Sequence, residues 1–145
     1  MVGNWFLRLG ALFGLVGMGL GIYMGMHHDF KLAPVHEHIN VVGWLAMFAA
    51  GLYYNTISPS SEYIETIGSL MPKSAGFHLF FAFFGAIALA AGLAGSLLNL
   101  TYTGAISTLV FDNYAWGEPL TLAGSGLTVF AQFIFLINVF RGTSA

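Results

Sequence analysis

Pro34-Val35-His36-Glu37-His38-Ile39-Asn40-Val41-Val42-Gly43-Trp44 stands where a polar corner passes into the apolar run Leu45 to Tyr54, and how this stretch is read decides the fold. The run reads as a membrane helix, which puts the two histidines at its entrance. Residues two apart on an α-helix point roughly 200° apart, so His36 and His38 cannot easily bind one metal from one side. They can serve two sites on opposite faces of one helix. Spacing alone leaves two readings open, a hydrated pair of interfacial histidines or a functional pair, since an ionisable group at membrane depth is a functional candidate by default.

Composition supports the membrane reading. Hydrophobic residues make up 57% of the 145 and charged residues 7%, against roughly 25% charged in soluble domains. There are no cysteines, which excludes disulfides, thiolate metal sites and thiol catalysis. Five histidines against four Lys+Arg make imidazole the main chemical handle, and a net charge of −2 gives nucleic acid nothing to bind.

A membrane span takes about 20 predominantly apolar residues. Four segments qualify, at about residues 5–27, 37–57, 75–99 and 119–140, so the expected fold is all-α: an integral membrane four-helix bundle forming a single domain over residues 1–145. The first segment is longer than the apolar region of a signal peptide, about 7–15 residues, and no clear cleavage site follows it. Four crossings put the termini and the 58–74 connection on one side, with Arg8, Lys73 and Arg141, and leave Lys31 as the one cation on the other. Excess Lys and Arg marks the cytoplasmic face. The expectation is a multi-pass protein of the cytoplasmic (inner) membrane with both termini cytoplasmic.

Along the chain, Gly10, Gly14, Gly17, Gly21 and Gly25 give the first helix small-xxx-small spacings, and Gly85, Ala88, Gly92, Gly95 and Ser96 give the third a similar face. Such faces let helix backbones approach closely in lipid, either within one bundle or between subunits. His27 and His28 close the first helix and share the outer boundary with His36 and His38. Pro34 suits the first turn of the second helix, and Glu37 suits the positive end of its dipole. Asn40, one turn past the histidines, is placed to hydrogen-bond a ligand or a neighbouring helix. The 57–74 connection contains a candidate interfacial helix around Tyr63, Ile64, Ile67 and Leu70, and the 100–118 segment is apolar enough to fold back over a site. His78, at the opposite interface, reads as structural. Gln132 and Asn138 are the mid-span amides of the fourth helix.

The run His36-Glu37-His38-Ile39-Asn40-Val41-Val42-Gly43-Trp44, with the apolar continuation to Tyr53-Tyr54, resembles the H-x-H-x-x-x-x-G-W helix of heme-copper oxidase subunit I, especially its cbb-type branch. In that family the helix carries two axial histidines, one for the low-spin heme and one for the high-spin heme of the oxygen site. The resemblance therefore implies that His36 and His38 ligate heme b, on a helix running from outside to inside, the direction the cation count gives independently. Family members carry about twelve helices in one chain as three four-helix arcs around a pseudo-threefold axis, so this chain amounts to one arc and a homotrimer restores the full set. The family's copper site takes a His-His pair from a different helix than the one holding His27-His28. Without that copper site oxygen reduction is not expected, and no Asp, Glu or Lys lies in mid-span to make an acidic proton channel.

The leading expectation is a bis-histidine heme b membrane protein acting in electron transfer or in heme or small-gas binding, with a redox partner protein. Bis-histidine ligation fits a site with no Cys, the nearest thioethers being Met24 and Met26. The alternatives are a copper or zinc site built from His27, His28, His36 and His38, as imidazole suits those ions, and a cofactor-free accessory subunit of a respiratory complex.

Overall fold

The structure is a computed structural model that describes residues 2–56, 71–98 and 117–142; the candidate interfacial helix and most of the 100–118 segment lie outside the described residues. The described chain is all-helical. Helix α1 is Val2–His27, α2 runs without a break over residues 33–56, α3 is Met71–Leu97 and α4 is Gly117–Gly142. The spans Val2–His27, Lys73–Leu97 and Gly117–Arg141 are each long and apolar enough to cross a membrane. In α2 the segments Ala33–His38 and Met47–Thr56 are α-helical and Ile39–Ala46 between them is a π-helix.

Observed helices begin two to four residues before the expected starts, because Asn4, Lys73, Glu118 and other polar residues belong to helix ends that an apolar window passes over. For α2 the cause is Pro34, which sits in the first turn, where its missing N–H leaves no hydrogen bond unmade.

Two antiparallel pairs build the bundle. In the first, a Cβ added at Gly10 would meet the backbone of Trp44 and Phe48, at Gly14 the Trp44 ring, at Gly17 the Asn40 amide and at Gly21 the His36 ring. The glycine stripe of α1 is thus consumed inside one chain, while Gly19 and Gly25 face nothing within 4 Å. In the second pair Gly85 lies against Thr128, Gly92 against Thr121, Gly117 against Ser96 and Gly124 against Leu89. The steps of seven residues on each helix bring the two backbones together at four levels. Close backbone approach is what drives association where lipid removes any hydrophobic gain.

Phe6, Met47, Ala50, Ala82 and Ala131, one or two from each helix, form the buried centre, and Phe13 meets Phe83 edge-on at 5.9 Å across the two pairs. Outward, Leu15, Ile22, Leu122, Val129 and Phe140 are exposed, an apolar jacket that suits contact with lipid.

Candidate functional site

Between α1 and α2 the chain reverses in five residues. His28 adopts φ 52, the left-handed conformation that ends many helices. Asp29 accepts the Lys31 backbone N–H at 3.1 Å, and the Ala33 N–H donates to the Phe30 carbonyl at 3.0 Å. This short corner places His27, His28, His36 and His38 at one end of the bundle. It does not bring them into one cluster: among the described residues no three His, Asp or Glu side chains gather as a metal-ligand group.

Hydrogen bonding determines the tautomers of three of these imidazoles. His36 Nδ1 lies 2.8 Å from the Gly17 carbonyl, His38 Nδ1 2.7 Å from the Pro34 carbonyl and His27 Nδ1 2.9 Å from the Tyr23 carbonyl. A carbonyl only accepts, so each Nδ1 carries the proton and donates it. Each Nε2 is left with its lone pair, the arrangement in which a backbone carbonyl orients a metal-ligating histidine.

His36 is the most constrained of the three. Its ring lies over Gly21, where a Cβ would come 2.9 Å from Cε1. Asn40 donates its amide to the His36 carbonyl at 2.9 Å, and the same nitrogen lies against the ring, 3.2 Å from Nδ1 and 3.4 Å from Nε2. Gly17 serves twice, since its carbonyl takes the His36 proton and its missing Cβ makes room for Asn40. Asn40 therefore holds the imidazole from its own chain. That support was legible only as an unassigned polar group one turn on.

The π-helix keeps these residues in line. Gly21, Gly17, Gly14 and Gly10 cover three turns of α1 in eleven residues, close to the 3.6 per turn of an α-helix. Opposite them His36, Asn40, Trp44 and Phe48 take twelve. The wider turns of Ile39–Ala46 absorb the extra residue; an α-helix there would rotate His36 by about 100° out of the seam. No family model, curated protein or solved structure matches this chain. What the site can do rests on its own chemistry, which is two lone pairs on opposite faces of one helix at the end of an apolar bundle.

His78 lies at the opposite end, 1% exposed, in a node that sequence reading missed. Its ring stacks on Phe135 at 5.2 Å and meets Phe6 at 4.7 Å. Ser74 donates to Asn138 Oδ1 at 2.8 Å, the Asn138 amide donates to the Tyr54 oxygen at 2.8 Å, and the Tyr54 hydroxyl lies 3.0 Å from His78 Nδ1. All four helices contribute, so the node pins the two pairs together. Replacing His78 by Ala leaves a cavity and removes a hydrogen-bond partner, and is expected to cost about 3 kcal/mol of stability. Unfolding titrations in detergent measure it; a midpoint equal to wild type would remove the node's structural role.

Proposed function

We propose that this chain is a multi-pass protein of the cytoplasmic membrane that binds heme b through His36 and His38, for electron transfer or for heme or small-gas binding, without reducing oxygen. The observation that carries this reading is the pair of imidazoles whose Nδ1 protons are committed to backbone carbonyls. In this reading both residues hold an iron porphyrin as axial ligands through Nε2, the nitrogen that the carbonyl bonds leave unprotonated. When bound, the heme supplies one-electron chemistry or a gas-binding iron; the chain supplies orientation, through Gly17 and Asn40, and apolar surroundings. Because the two ligands face opposite ways, each heme takes His36 from one copy and His38 from the next, in a homotrimer that resembles one oxidase subunit I.

In this reading α2 is the fourth span and both termini face the cytoplasm. Arg8, Lys73 and Arg141 lie within five residues of Phe6, His78 and Asn138, which meet in one node, so the three cations gather at that end and Lys31 stands at the other. This is the asymmetry expected of a cytoplasmic face.

A copper or zinc site is the second reading, favoured by the His27 tautomer, which adds a third Nε2 lone pair at the same end. Absorption spectra of the purified protein, oxidised and reduced, decide between them. Heme binding predicts a Soret band that sharpens and shifts on reduction with about one heme per chain. Bound copper or zinc with no porphyrin band after expression with heme supplied would remove the heme reading.

A further inference from the structure

The described spans contain five side-chain amides. Asn4 and Asn55 pair at 2.9 Å, Asn40 bonds the His36 carbonyl and Asn138 bonds Tyr54 and Ser74. Gln132 is the exception. It is exposed on α4, and among the described residues no hydrogen bond reaches its amide. It stands nine residues before Arg141, about 14 Å along the helix, so it lies near the middle of a hydrocarbon core roughly 30 Å thick. Lipid tails offer an amide neither donor nor acceptor, and a polar group left unsatisfied there is disfavoured.

We infer that copies of this chain meet along the face of α4 that carries Gln132, with the amides hydrogen-bonded from one copy to the next. The surface on the same helix face is apolar and open: Val129 and Leu136, three residues before and four after Gln132, are 69% and 49% exposed. The occupant is a second copy for a geometric reason. Copies related by an axis along the membrane normal hold every residue at the same depth, and the other described amides and the nearby Ser125 and Thr128 hydroxyls are bonded within their own chain, so the group left to meet one Gln132 amide at its own level is another. A glutamine amide is self-complementary, since its NH2 donates and its carbonyl accepts, and a closed ring of any number of copies satisfies every member. This surface bears on the assembly invoked above and rests on nothing about heme.

The absence of native cysteines makes the test clean. In membranes holding the full chain, Gln132→Cys is expected to form a disulfide-linked dimer under mild oxidation, whereas Phe84→Cys, exposed on α3, is not. Val129→Cys should cross-link as well, and adding Gln132→Leu should abolish most of that dimer while leaving the fold intact, because residue 132 is exposed on the outer face of α4. No dimer at 132, equal dimer at 84, or a Val129→Cys dimer indifferent to Gln132→Leu would each overturn the proposal. Lipid alone, or a different protein, covering this face gives the first of these results. A heme spectrum retained or lost in any variant has no part in the readout, so the two readings fail separately.

Discussion

Replacing Gly92 by Val is expected to separate α3 from α4 and to cost about 3 kcal/mol or more. A Cβ at this position would stand 2.7 Å from the Thr121 Cα and 2.6 Å from its Oγ1. Thr121 cannot turn aside, because the atoms met include backbone and its hydroxyl is already held by the Gly117 carbonyl at 2.7 Å. The whole helix has to move instead. Movement there opens the contacts at Gly85, Gly117 and Gly124 together, since the four levels share two rigid rods. Gly19→Val on α1 adds the same bulk where nothing lies within 4 Å and should be close to neutral. Detergent unfolding midpoints for the two variants provide the comparison, and equal midpoints would mean that the α3–α4 seam is not held by close backbone contact.

This contrast marks how far the fold was legible before the structure. The small-residue faces of α1 and α3 were visible as spacings, but spacing does not say whether a face meets its own chain or another. The structure answers for Gly10, Gly14, Gly17 and Gly21, which meet α2, and for Gly85 and Gly92, which meet α4. The π-helix had no signature of its own, because its widened turns follow from fitting twelve residues of α2 against eleven of α1, a relation between two helices rather than a pattern within one. The sequence signal that foreshadowed it was the recurrence of His36, Asn40, Trp44 and Phe48 in fours beside a stripe spaced 4, 3, 4.

For the candidate site, His36, His38 and Asn40 were named from residue type and position, and the structure adds what orients them: the Gly17 and Pro34 carbonyls, which residue identity cannot reveal because every residue has one. His78 was expected to be structural, and it is buried in a polar node with Tyr54, Asn138 and Ser74. The node escaped notice because its members are spread over all four helices, with Ser74 and Asn138 more than 60 residues apart in the chain.

If the chain is the heme-bound trimer proposed above, His36→Ala and His38→Ala should each leave every heme with a single axial ligand, turning a six-coordinate low-spin spectrum into a five-coordinate one. The reason is the opposed placement of the two imidazoles. His36 faces α1 of its own chain over Gly17 and Gly21, and His38 points roughly 200° away. In a closed ring of identical chains every boundary is the same, so each site receives one His36 and one His38. Co-assembly of the two variants separates shared from unshared sites. Where chains mix at random and in equal amounts, a boundary regains both ligands when a chain keeping His36 precedes one keeping His38, which happens at about one site in four. A site built inside a single chain regains none, because every chain lacks one ligand. Six-coordinate signal at about a quarter of the wild-type level therefore reports sharing. If co-assembly restores nothing, or if one substitution alone leaves the spectrum six-coordinate and low-spin, the heme is not held between His36 of one copy and His38 of the next.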